Sequence, residues 1–189
     1  MAECIRTLGI DPGTRLTGYG IVEQLGRASR LLHIDNGVII PQDTFSFADK
    51  LYYIGDKIRA LITEFKPHVC SIERLFYAKN VQSALKLSHA RGVAMMMAAQ
   101  HGLPVFEYTA LQIKQASVGH GHADKIQVQE MVRMILGLKE VAQEDASDAL
   151  AAAICHLQYA HSPVALITQL EQQTKKRRHK KNTVGWLSK

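Results

Sequence analysis

Three apolar segments of strand length crowd the first forty residues, and only afterwards does the hydrophobic spacing change to helices alternating with single strands. Ile5–Ile10 runs into Asp11 and turns at once through Pro12-Gly13. Thr17–Gln24 and Leu31–Ile40 follow, joined through Gly26-Arg27. Strand-length runs separated by turn residues predict a three-stranded antiparallel meander. Leu51, Ile54, Ile58, Leu61, Ile62 and Phe65 then recur at helical spacing, behind Asp43 or Thr44 as cap and ahead of a stop at Lys66-Pro67. His68–Glu73 is a fourth strand, expected to run parallel to the first because a helix separates the two. Arg74–Lys79 reads as a loop, Asn80–Gln100 as a long helix and Leu103–Tyr108 as a fifth strand. Shorter helices are predicted over Ala110–Ala116 and Asp124–Leu136, and a last one from Asp145 to about residue 160. After Ser162-Pro163 the pattern decays.

Right-handed crossovers bring the fourth and fifth strands to the side of the first. The expected architecture is α/β: a five-stranded mixed sheet, three antiparallel strands and then two parallel ones, flanked by helices. Asp11 and Glu73 then emerge at the carboxyl ends of parallel strands, where open α/β sheets put their active sites. Asp145 and Asp148 stand three apart on one face of the alanine-rich last helix and can close the group. That arrangement resembles the ribonuclease-H-like fold.

Four carboxylates in one place are costly unless divalent cations neutralise them, and carboxylate-held metals are a standard way to hydrolyse phosphodiesters. Each acid also has an ordinary reading. Asp11 before Pro12-Gly13 is a good turn former. Glu73 can cap a loop or pair with Arg74. Asp145 near a helix start suits capping and the helix dipole, and Glu144 can do the same or stand as a ligand in its place. Only the coincidence of three such places favours a common site.

Charge is distributed unevenly. The 189-residue chain carries a formal +6, yet Lys175–Lys189 alone holds seven Lys/Arg and no acid, leaving 16 basic against 17 acidic residues before it. The domain is therefore slightly acidic, and the basic tail is either a solvated end or an electrostatic hold on nucleic acid. Expected boundaries are a ribonuclease-H-like domain over 1–162 and a basic, flexible tail over 163–189. Three scattered cysteines, Cys4, Cys70 and Cys155, fit a reducing cytosol without a disulfide framework. The start of the chain shows no signal-peptide pattern, and no run approaches the ~18 apolar residues of a membrane helix.

Read in order, the motifs resemble the RuvC-type Holliday junction resolvases over nearly the whole domain. Carrying the resemblance are Gly9-Ile10-Asp11-Pro12-Gly13-Thr14 with Thr17-Gly18-Tyr19-Gly20, then Ile72-Glu73 leading to Phe76 and Ala78-Lys79-Asn80. Ser83-Ala84-Leu85-Lys86-Leu87, Ala90-Arg91-Gly92-Val93 and Pro104-Val105-Phe106-Glu107-Tyr108 continue it. Lys114-Gln115, Val118-Gly119, Lys125 with Gln127-Val128-Gln129, and Asp145-Ala146-Ser147-Asp148-Ala149-Leu150-Ala151 complete it.

The resemblance implies a homodimeric, metal-dependent endonuclease of recombination and repair that nicks opposing strands of a four-way junction symmetrically. It implies 5′-phosphate and 3′-hydroxyl ends, cytoplasmic location and association with the RuvA–RuvB branch-migration complex. Asp11, Glu73, Asp145 and Asp148 match the family's four catalytic, metal-holding positions, the third of which is histidine in some members. Two Mg²⁺ ions are expected, with Mn²⁺ able to substitute. Phe76 matches the position used at the junction centre, where an exposed aromatic can stack on unpaired bases; Tyr77 beside it stays open. Lys79, Lys86, Arg91, Lys114 and Lys125 fall in matching segments as DNA contacts, Lys114 and Lys125 near the scissile phosphate.

Other features carry less. His120 and His122 suit a phosphate contact or no role better than Mg²⁺ ligation, and Met95-Met96-Met97 reads as core and helix-interface packing. Two rival functions are an actin-like nucleotide-binding fold, which needs two such halves where this chain has one, and a junction-binding module without catalysis.

Overall fold

The computed structural model describes residues 4–26, 30–74, 81–121 and 123–159, with side chains excluded at 81–83. Strand β1 covers Cys4–Asp11, β2 Thr17–Leu25 and β3 Leu31–Ile39, all antiparallel, with Asp11 opposite Gly18. Helix α1, Phe47–Phe65, leads to β4, Val69–Glu73, which pairs parallel with β1. Helix α2, Val81–Gln100, leads to β5, Val105–Tyr108, parallel to β4. Three helices follow: α3 Ala110–Val118, α4 Lys125–Leu136 and α5 Glu144–Tyr159. The sheet order is β3-β2-β1-β4-β5, so β5 meets β1 only through β4. The mixed sheet expected from the sequence is the one observed.

One boundary needs a physical correction. Neither Asp43 nor Thr44 caps α1. Both lie in a tight turn in which the Phe45 N–H donates to the Gln42 carbonyl at 3.1 Å. The cap is Ser46, whose hydroxyl accepts from the Asp49 N–H at 3.2 Å. The chain must first leave the turn before a hydroxyl can reach the third amide of the helix.

Strand alternation divides the sheet into two faces. Leu8, Ile10, Ile21, Cys70 and Ile72 point to one face and bury against Ile54, Ile58 and Ile62 of α1 and Ala94 and Ala98 of α2. Met95 and Met97 join that core, whereas Met96 stays 51% exposed. The opposite face carries Thr7, Gly9, Ser71, Gly18 and Gly20, and here α5 lies down. The Ser71 hydroxyl donates to the Ala152 carbonyl at 2.7 Å. A Cβ on Gly9 would collide with the Ala149 carbonyl, and one on Gly18 with the Asp145 carbonyl. These glycines let a helix backbone rest directly on the strands, which a side chain at either place would prevent. Asp11 and Glu73 keep the phase of Gly9 and Ser71, so both belong to the face that α5 covers. No helix among the described residues is long and apolar enough to cross a membrane.

Candidate active site

The turn after Asp11 is closed by Thr17, whose buried hydroxyl donates to the Gly13 carbonyl at 2.6 Å and accepts from the Gly13 N–H at 3.3 Å. Asp11 is thereby held at the last register position of β1. Glu73 ends β4 one strand away, opposite Tyr108 in the β4–β5 register. From the far side α5 delivers Asp145 and Asp148 in its first turns, with Ala146, Ala149 and Ala153 buried beneath them against the strand glycines. The helix is seated by Gln143, whose side-chain oxygen accepts from the Ala146 N–H at 3.1 Å while its amide nitrogen donates to Asp145 Oδ2 at 2.7 Å. Glutamine is not a favoured capping residue, so nothing in the sequence singled Gln143 out.

Electrostatics tie the four acids together. Burial, then the charges of Asp148, Asp145 and Glu73, push the Asp11 carboxyl up to about 7. Glu73 is raised by burial and by Asp148, with Lys114 and Lys125 opposing. Burial also raises Asp148, against a hydrogen bond and the charge of Lys125. Three carboxyls raised together, by burial first and then by acidic neighbours, are like charges held in one partly buried place.

Cations answer them from α3 and α4. The Lys125 ammonium lies 3.0 Å from Asp148 Oδ2 and 2.5 Å from Glu144 Oε1. Burial works against its charge, but the hydrogen bonds to Glu144 and Asp148 win and raise it above the usual lysine range. Glu144 thus faces Lys125, and Asp145 is the acid of that pair whose charge acts on Asp11. Lys114 and Lys125 line a cleft of about 220 Å³ with Glu73, Asp148, Ala110, Ile113, Val128 and Ala151. The two acids on that cleft, Glu73 and Asp148, offer the hard oxygen donors that a magnesium-like ion takes. Among the described residues no three His, Cys, Asp or Glu side chains already close on a point. The donor chemistry and the mutual repulsion nonetheless suit divalent cations that draw the acids inward.

The remaining sequence candidates fall into three groups. Lys86 is exposed on α2. Arg91 is turned inward: its Nη2 is 2.6 Å from Glu107 Oε2 and its Nε donates to the Glu73 carbonyl at 3.4 Å. Arg74 lies 3.8 Å from Glu107 Oε2, an ion pair in place of the pairing with Glu73 weighed from the sequence. Phe76, Tyr77, Lys79, His122 and residues 163–189 lie outside the described residues; His120 is exposed.

Known proteins share this fold and much of this sequence. The family profile described as "Crossover junction endodeoxyribonuclease RuvC" matches residues 7–156. A protein of that name from Syntrophotalea carbinolica is 55% identical over 157 residues, covering 83% of this chain and 96% of the relative. One from Geobacter sulfurreducens is 53% identical over 152 residues, covering 80% and 92%. Among solved structures, Thermus thermophilus RuvC in complex with a Holliday junction substrate superposes with a TM-score of 0.78 at 34% identity, covering 82% of this chain and 94% of that one. The yeast mitochondrial resolvase Ydc2, at 17% identity and a TM-score of 0.58, shares the fold.

Proposed function

The chain belongs to the RuvC family of crossover junction endodeoxyribonucleases, and from that membership we propose how its own residues divide the work of cutting a four-way junction. It is a metal-dependent hydrolase of phosphodiester bonds acting on Holliday junction DNA in recombination. The observation that carries the assignment of residues is that Asp11 and Glu73 end neighbouring parallel strands on the face covered by α5, while Glu73 and the Asp148 of α5 line one cleft with Lys114 and Lys125.

Asp11 and Asp148 are the central metal holders, with Glu73 and Asp145 completing the set. Two bound Mg²⁺ ions would supply an activated water and charge stabilisation for the departing 3′-oxygen. The Thr17 turn fixes the chain just after Asp11, and Gln143 donates to the Asp145 carboxylate, so the backbone that carries these acids is set before substrate arrives. Lys125, and Lys114 beside it, hold the non-bridging oxygens of the scissile phosphate. The ammonium of Lys125 exchanges Glu144 for that phosphate as DNA enters. Phe76 is assigned to the junction centre, and Lys79 and Lys86 to the flanking backbone.

The working form is a homodimer in the cytoplasm, because two opposed cuts in one junction require two sites. RuvA–RuvB is its branch-migration partner. Residues 1–162 form the nuclease domain and 163–189 a basic appendage. The decisive experiment incubates the purified protein with a synthetic four-way junction and Mg²⁺ and maps the nicks. Paired symmetric cuts are expected; binding without cuts would reduce the protein to a junction-recognition module.

A further inference from the structure

We propose that Arg91 and Glu107 form a positioning device that fixes the carboxyl end of β4, and that Arg91 acts through it and not as a grip on phosphate; this rests on Glu73 belonging to the catalytic group. Arg91 projects from α2, and its side chain is only 16% exposed. All three of its guanidinium nitrogens are engaged inside the protein. Nη2 stands 2.6 Å from Glu107 Oε2, in ion-pair contact without an aligned hydrogen bond. Nη1 donates to the Met95 sulfur at 3.3 Å, and Nε to the main-chain carbonyl of Glu73 at 3.4 Å. An arginine that binds phosphate presents its planar fork outward; this one presents it to β4 and β5.

Register explains why the partner is Glu107. In the parallel β4–β5 ladder Glu107 stands opposite Ile72, and Ile72 points into the core shared with α1 and α2. Glu107 has the same phase and reaches the α2 side, where a carboxylate facing an apolar layer needs a cation. Arg91 is that cation, and Arg74 approaches the same carboxylate from outside at 3.8 Å. The Arg74 N–H donates to the Tyr108 carbonyl at 2.7 Å. The end of β4 is therefore held from two sides, by β5 through its backbone and by α2 through Arg91. The Nε contact to Glu73 is long and contributes little by itself. Its consequence is geometric: together with the Arg91–Glu107 pair and the Arg74 N–H bond to Tyr108, it fixes the strand end from which the Glu73 carboxylate projects. A displacement of about 1 Å at such a group can cost on the order of 10²-fold in rate.

The test uses the full chain, a synthetic four-way junction and single-turnover conditions well below the melting temperature. Arg91→Ala and Glu107→Gln are each expected to slow cleavage by about 10–100-fold. Junction affinity measured in Ca²⁺ should stay within about twofold, with an unchanged salt slope, because no phosphate contact is lost. The Mg²⁺ concentration for half-maximal rate should rise in both variants. Combining the two should cost no more than the worse single change, the signature of one shared interaction. Glu107→Gln keeps the shape of the side chain and serves if Arg91→Ala fails to fold. Weaker binding with a flatter salt slope in Arg91→Ala would make Arg91 a phosphate contact and overturn the proposal. So would full-rate cleavage by Glu107→Gln. Glu73→Gln separates the two levels. If it abolishes cleavage while the Arg91 and Glu107 variants are silent, only the positioning role fails; if it cleaves normally, the site assignment fails.

Discussion

Lys125 places its ammonium 3.0 Å from the Asp148 carboxylate, so a lysine from α4 leans on one of the partly buried acids of α5. The same ammonium also reaches Glu144 on the first turn of α5. A cation between two acids on one helix has a choice of partner, and incoming phosphate offers it a third.

Glu144→Gln should therefore release Lys125 toward substrate without harming the metal site. The Lys125–Glu144 pair is about half exposed on both sides, and such pairs contribute roughly 0.2–1 kcal/mol. Junction affinity should tighten by at most a few-fold, with cleavage at the wild-type rate or slightly above. Lys125→Met should slow single-turnover cleavage by about 10²-fold or more, as expected for a lost phosphate clamp. A loss of several orders of magnitude in Glu144→Gln would instead make Glu144 a metal ligand.

Asp11→Asn and Asp148→Asn should each abolish cleavage while leaving junction binding intact, if these carboxylates take the metal-holding roles proposed for them and do not contact DNA. They should also stabilise the metal-free protein. Each wild-type carboxylate is partly buried and repelled by its neighbours, so an amide of the same shape removes an unfavourable charge. Calorimetry in chelator should show higher melting temperatures for both variants. The rise that Mg²⁺ gives the wild type should shrink in each.

The order and pairing of the strands were readable from the chain because alternation and turn residues act over short distances. Ile5–Ile10, Thr17–Gln24 and Leu31–Ile40 differ from the observed strands by a residue or two at their ends. Asp11 and Glu73 were legible for the same reason, since a strand's phase fixes which face its last residue takes. What could not be read is how long-range partners spend a side chain. Arg91 sits in a segment that resembles a DNA-binding family, yet its guanidinium is turned to Glu107, which only the β4–β5 register brings near. Gln143 gave no signal either, because its role depends on where Asp145 sits once α5 has docked. Tertiary geometry, not composition, decides both.

Stability of the metal-free protein should fall as pH rises from about 4 to about 7. An unfolded aspartate releases its proton near 4, whereas Asp11 in the folded protein, through burial first and then its acidic neighbours, holds on until about 7. Between those values the folded state binds more protons, so the slope of stability against pH is negative there and levels off above. The raised Glu73 and Asp148 add to the same trend. Melting curves in chelator at intervals across this range should show the decline, on the order of a few kcal/mol in all. Asp11→Asn should flatten it. Metal requires the ionised carboxylates, so Mg²⁺ affinity should climb over the same interval. A wild-type curve no steeper than that of Asp11→Asn would rule out the raised Asp11.

Gly18→Ala and Gly20→Ala should separate helix placement from stability. Both glycines sit on β2 beneath α5. A Cβ on Gly18 would meet the Asp145 carbonyl and the Ala146 nitrogen, which are backbone and move only with the helix. On Gly20 it would approach the Leu150 side chain at 2.7 Å as well as the Leu150 nitrogen at 2.8 Å, a turn farther from Asp145. Each overpacked variant should lose about 1–3 kcal/mol. Cleavage, however, should drop more for Gly18→Ala, because the carbonyl displaced there is that of Asp145 itself, whereas the nearest atoms at Gly20 belong to the Leu150 side chain. Measured together, denaturant midpoints should fall by similar amounts while single-turnover rates diverge by on the order of tenfold or more. Equal rate losses in the two variants would mean that the first turn of α5 adjusts freely, and that the close seat at Gly18 serves packing alone.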